Sequence, residues 1–82
     1  MKIRIINIQV IQEFKIRVFL NNGDNFIFDA HDFVTYPCNK ELQEEMTFNK
    51  VKYKPTFLYW DDDHDIHLDQ IIPNVYSAND IY

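Results

Sequence analysis

Apolar and polar residues alternate through most of the first thirty positions. In Phe14 to Leu20, the side chains of Phe14, Ile16, Val18 and Leu20 fall on one side and Lys15, Arg17 and Phe19 on the other, the period-two pattern of a half-buried strand. Asn21-Asn22-Gly23-Asp24 follows and holds the only glycine of the chain, in an Asn-Gly pair that favours the positive φ angles of a hairpin turn. Asn25 to Asp29 then returns as the partner strand, with Phe26 and Phe28 on one face. Earlier, Ile3 and Ile5 share one parity while Ile6, Ile8 and Val10 share the other. That flip predicts a bulge near Ile5-Ile6, in a first strand that joins the second through a tight turn near Gln12-Glu13.

From Ala30 the period changes. Ala30 to Val34 reads as a short helical turn, and Asn39 to Met46 as a second helix with Asn39 as N-cap, acids close behind it, and Leu42 and Met46 as its buried stripe. Lys50 to Lys54 alternates again, with Val51 and Tyr53 opposite three lysines. Thr56 to Trp60 is an aromatic-rich strand candidate, Ile66-His67-Leu68 a short extended one, and Val75, Tyr76, Ile81 and Tyr82 are docking candidates in a tail running from Pro73. The pattern therefore predicts one α+β domain over residues 1–82, a small mostly antiparallel sheet carrying one or two short helices, with 73–82 docking on the domain or on a partner.

At 82 residues a domain buries only about 60% of the surface its unfolded chain exposes, which argues against a large catalytic cleft. Thirteen aromatic side chains still suffice for a packed core. A lone cysteine, Cys38, makes no internal disulfide, and polar residues interrupt any signal-like run at the N-terminus; both favour a cytoplasmic protein. No stretch approaches the roughly 20 apolar residues of a membrane span. The net charge of −5 is unevenly spread: Met1 to Lys54 carries eight basic and seven acidic residues, and Pro55 to Tyr82 six acids and no base.

Those acids concentrate in WDDDHDIHLDQ, Trp60 to Gln70, which has the look of a metal site. A calcium loop needs oxygen ligands at positions 1, 3 and 5, glycine at 6 and glutamate at 12. Counted from Asp61 the first three fit, but Ile66 and Ile72 occupy the two most specific positions; counted from Asp63, His67, Leu68 and Asn74 fit worse. His64 and His67 are three apart, and on a strand such residues point to opposite faces. With Ile66 and Leu68 inward, Asp65, His67 and Asp69 face solvent. The expectation is no metal and no cofactor, and His31 between Asp29 and Asp32 reads as a surface or capping histidine. Neither Cys38 nor Ser77 has a recognisable base and oxyanion site, and one glycine makes no phosphate loop, so no catalytic residue is expected and the chain is not expected to be an enzyme.

Two binding readings remain. Six uncompensated acids beside aromatics suit docking on a basic protein surface, because complementary charge speeds encounter and aromatic rings anchor the contact; the residues are Tyr59, Trp60, Asp61, Asp62, Asp63 and Asp65. Alternatively, Lys15 and Arg17, with Lys50, Lys52 and Lys54, could hold RNA phosphates on a strand face whose aromatic rings stack bases.

An apolar first strand, then FKIRVFLNNGDNFIFD, MTFNKVKY and YWDDDHDIHLD, in that order, resembles the small bacterial family called domain of unknown function 2442, over roughly Ile6 to Ile71. The resemblance implies the same α+β fold and a compact binding module, found beside another small protein as toxins and antitoxins are, or fused to a helix-turn-helix domain. It implies no catalytic residue. The chain departs from the family pattern in two places: three consecutive aspartates stand after Trp60 where a glycine-containing turn is usual, and the tail beyond Pro73 is longer. Together these readings lead to the expectation of a regulator that binds and inhibits a protein, as an antitoxin inhibits a toxin or an anti-CRISPR protein inhibits an RNA-guided nuclease.

Overall fold

The structure, a computed structural model, describes residues 2–81, apart from the side chain of Ala78. Two three-stranded antiparallel meanders carry the chain. The first is β1 (Ile5–Ile11), β2 (Lys15–Leu20) and β3 (Asn25–Asp29); the second is β4 (Lys52–Lys54), β5 (Phe57–Asp61) and β6 (His64–His67). Between them run α1 (His31–Thr35), a 3-10 helix (Pro37–Gln43) and α2 (Glu45–Phe48), and after them α3 (Leu68–Ile71) and α4 (Ala78–Ile81). The α+β class and the antiparallel pairing agree with the sequence pattern, but the single sheet is replaced by two. The chain returns from its helical excursion beside β1 instead of β3, and there Ile5 N–H donates to the Pro55 carbonyl (2.8 Å) and the Tyr53 hydroxyl to the Ile6 carbonyl (2.8 Å). These contacts join β1 to the β4 region without extending a common ladder.

Alternation sets the burial of the first meander. Ile16, Val18 and Leu20 are buried, Phe26 and Phe28 lie beside them, and Lys15, Arg17 and Phe19 face outward. The register of β1 against β2 shifts between Ile5 and Asn7, so the expected bulge lets both Ile5 and Ile8 face the core and leaves Ile6 55% exposed. Phe14, expected as the first residue of β2, belongs instead to the turn. It and Glu13 hold φ angles of 61° and 64°, a left-handed backbone that costs about 1–2 kcal/mol per non-glycine residue. Compensation comes from the Phe14 ring, set edge-on against Phe48 at 5.1 Å, and from its carbonyl, which accepts Ala30 N–H at 2.9 Å.

Gly23 turns the second hairpin at φ 91°. No atom lies within 4 Å of where a β-carbon would stand, so alanine there meets only the backbone penalty. Gly23→Ala is expected to cost about 1–2 kcal/mol, read as a lower urea midpoint with unchanged slope; an unchanged midpoint would mean the turn relaxes freely.

The second predicted helix is corrected. Asn39 is no N-cap: it is buried inside the Pro37–Gln43 segment with non-helical angles, and its amide donates to the Phe33 carbonyl at 2.8 Å. Its position inside the 3-10 segment, and not before a helix, is what denies it the capping role. The helix breaks at Glu44 (φ −76°, ψ 118°), whose carboxylate accepts Met46 N–H and caps α2. The break resets the phase of the apolar stripe. Leu42 is buried as expected, but Met46 is 75% exposed and Phe48, at 1%, takes the inward place.

Phe48 lies at the centre of an aromatic cluster: Phe14 packs against it edge-on, Trp60 sits 5.6 Å away, and Phe33 stacks on Trp60 at 5.6 Å. The tail closes over the other end of the core. Ile81 is buried, Ile3 N–H donates to the Asp80 carbonyl at 2.6 Å, Arg4 Nη1 donates to the Ile81 carbonyl at 2.7 Å, and the Tyr76 hydroxyl meets the Asp24 carboxylate. Val75 remains 85% exposed, and Tyr82 lies outside the described residues.

Candidate docking face and the acidic turn

The outer face of the second meander is built from alternating positions of three short strands. Cross-strand register sets Lys52 beside Tyr59 and Tyr59 beside Asp65, then Lys54 beside Phe57 and Phe57 beside His67. Leu58, between the two outward rings, is fully buried. Phe57 stacks on the His67 ring at 5.2 Å and leans on Tyr59 at 5.7 Å. At one end the face dips into a cleft of about 290 Å³ lined by Lys54, Phe57, Tyr59, Asp61, Asp62 and Asp65. Three carboxylates, two aromatic rings and one lysine therefore line the cleft.

The residues expected to bind a partner do not all share this face. Tyr59, Asp61, Asp62 and Asp65 do. Trp60 turns inward: it shares the strand parity of the buried Leu58, and the indole, packed among Phe33 and Phe48, donates its N–H to the Phe48 carbonyl at 2.8 Å. Asp63 is exposed and lines a neighbouring depression along the β6 edge with Tyr36, Cys38 and Ile66.

Nor do the expected basic residues form one tract. Lys15 and Arg17 belong to the first meander, where Lys15 stands opposite Asp29 and Arg17 donates to Asn25 Oδ1 at 2.7 Å. Asp29 also accepts from the His31 ring and backbone N–H, and these bonds, more than the nearby Lys15 charge, hold its carboxyl below the usual range. Lys50 lies in the turn before β4, its N–H donating to the Thr47 carbonyl at 3.1 Å. Only Lys52 and Lys54 reach the aromatic face.

The acidic turn has an internal order that the sequence pattern did not suggest. Asp61 Oδ1 accepts Asp63 N–H at 2.9 Å and lies 2.7 Å from His64 Nδ1. His64 shares the inward parity of Ile66 and Leu68 and is only 9% exposed. Its Nε2 lies 2.9 Å from the Cys38 carbonyl and 3.3 Å from Glu41 Oε2. The hydrogen bond to Asp61, aided by the Cys38 carbonyl and the Asp61 and Glu41 charges, raises the His64 pKa against the opposing effect of burial. The same bond holds Asp61 below the usual carboxylate range. His67, three residues on, is exposed on the opposite face, as strand geometry requires. Among the described residues, no group of three or more His, Cys, Asp or Glu side chains is placed to share a metal ion, and no helix is long and apolar enough to cross a membrane.

Two features of this region were legible but not read from the sequence. With Leu58 inward, Phe57 had to join Tyr59 on the outside; with Ile66 and Leu68 inward, His64 had to follow. No curated protein and no solved structure matches the chain. A family model described as "Protein of unknown function (DUF2442)" matches residues 5–75, a span that takes in both meanders, the helices between them and the acidic turn. The chain belongs to the DUF2442 family.

Proposed function

We propose that this chain is a non-enzymatic docking module that regulates a protein partner by covering a basic surface with the outer face of β4–β6. The observation that carries the reading is the cleft in which Phe57 and Tyr59 lie among Asp61, Asp62 and Asp65, three carboxylates that outnumber its one cation, Lys54. Aromatic faces attract a desolvated cation, and a carboxylate gives arginine two parallel hydrogen bonds, so a lysine or arginine side chain of the partner suits this site. Inhibition follows if the covered surface is one the partner uses on its own substrate, as with an antitoxin on its toxin or an inhibitor of an RNA-guided nuclease.

A second reading has one observation in its favour: Lys52 and Lys54 stand beside Tyr59 and Phe57 on the same face, which suits a single RNA strand. The acids around the cleft oppose it, since they repel phosphate. Affinity capture from the native host at two salt concentrations, run beside a gel shift with single-stranded RNA, distinguishes the two. Docking predicts a stoichiometric protein complex weakened by salt and no RNA shift at low salt; an RNA shift that fades steeply with salt, without a protein complex, would replace the proposal.

A further inference from the structure

Among the described residues, both ring nitrogens of His64 face acceptors. Asp61 Oδ1 lies 2.7 Å from Nδ1. On the other side the Cys38 carbonyl and Glu41 Oε2 lie 2.9 Å and 3.3 Å from Nε2. A neutral imidazole has one N–H and one lone pair, so either tautomer would aim a lone pair at an oxygen. Only the imidazolium donates on both sides. The residue is 9% exposed, and its ring nitrogens reach β5 on one side and the Pro37–Gln43 segment on the other.

We infer that His64, protonated on both ring nitrogens, pins the β5–β6 turn to the Pro37–Gln43 segment and releases it on losing a proton, so that pH sets the order of the turn. The ionisable groups facing the ring are Asp61 from β5 and Glu41 from the Pro37–Gln43 segment, and both favour the charged form. The turn's own acids, Asp62 and Asp63, are exposed to solvent. The native ring holds its proton more tightly than the unfolded one, so the pin is complete below the unfolded ring's midpoint and fails as pH rises through the native midpoint. Asp61 limits it from the acid side, as pH falls through that carboxyl's depressed native value. Because Asp61 also lines the cleft, release would loosen the acidic rim; that consequence rests on the docking proposal, whereas the pin does not.

The test uses the full chain without any partner. Nitrogen NMR of the ring, recorded below the midpoint of the unfolded ring, is expected to show both His64 nitrogens protonated, with a native titration midpoint above that of the same residue in the urea-unfolded chain. Above the midpoint, the amide signals of residues 38–41 and 61–64 should shift together and Tm should fall by about 5 °C or more. Glu41→Gln, which alters a largely exposed side chain, should lower the midpoint with the fold intact, and His64→Gln should remove the alkaline fall in Tm. A single neutral tautomer below the unfolded ring's midpoint, a native midpoint at or below the unfolded one, or the same alkaline fall in a folded His64→Gln would each overturn the pin. If His64→Gln does not fold, the ring signals and Glu41→Gln still decide the matter. Weakened docking at high pH would be measured separately, and its absence beside an intact pin would count against the docking face alone.

Discussion

Phe48→Ala is expected to lower Tm by about 15–30 °C and to remove a large share of the protein's stability. The ring is 1% exposed and bridges the two meanders, meeting Phe14 from the first turn and Trp60 from β5. Truncating a buried phenylalanine costs about 3–5 kcal/mol, part of it for the cavity left behind. A domain of this size has only about 4–12 kcal/mol of stability, at 0.05–0.15 per residue, and each kcal/mol moves Tm by about 4–8 °C. Met46, two residues earlier and 75% exposed, supplies the control, since Met46→Ala should change Tm by less than about 4 °C. Thermal unfolding followed by circular dichroism measures both. A fall under 5 °C for Phe48→Ala would mean that the aromatic cluster closes around the loss and does not join the two halves.

Reversing the charge of the cleft is expected to have the largest effect on binding. With Asp62→Lys and Asp65→Lys together, affinity for the captured basic partner should fall about 100-fold, or roughly 2.8 kcal/mol, with Tm nearly unchanged because both side chains are exposed. These two positions are cleaner probes than Asp61 and Asp63, since Asp61 accepts from His64 and from the Asp63 amide and its replacement would disturb the turn itself. Lys52→Glu with Lys54→Glu serves as the opposite arm: docking on a basic surface should persist or tighten. Titration calorimetry reads both. Binding destroyed by the lysine reversals and indifferent to the aspartate reversals would turn the reading toward RNA. Salt should weaken the wild-type complex through its solvent-exposed rim charges, and the rise in dissociation constant between low and physiological salt should shrink in the Asp62/Asp65 variant.

The strands were legible because period-two alternation depends on nothing beyond the strand itself. Ile16, Val18 and Leu20 are inward and Lys15, Arg17 and Phe19 outward, as the sequence pattern alone requires. The parity flip at Ile5-Ile6 likewise announced the bulge seen in the register. The helical excursion was less legible. A four-residue spacing such as Leu42 to Met46 signals a buried stripe only if one helix runs through both, and a hydrogen bond from Asn39 to Phe33, six residues back, together with the break at Glu44, gave the two positions different phases.

By itself the sequence determined the α+β class, the antiparallel hairpins, the membership of the DUF2442 family and the excess of acid after Trp60, because composition and local periodicity encode each of them. Only the tertiary structure decided which of those residues meet. Folding set the inward Trp60 against Phe48 and Phe33, gathered Phe57, Tyr59 and Lys54 with Asp61, Asp62 and Asp65 around one cleft, and parted Lys15 and Arg17 from Lys52 and Lys54. It also buried His64 against Cys38, 26 residues away, so one of the two histidines in the acidic run became a structural link and the other a surface ring. The physical reason is common to all of these outcomes: a strand's faces follow from its own residues, whereas the neighbour a face meets depends on how distant segments pack.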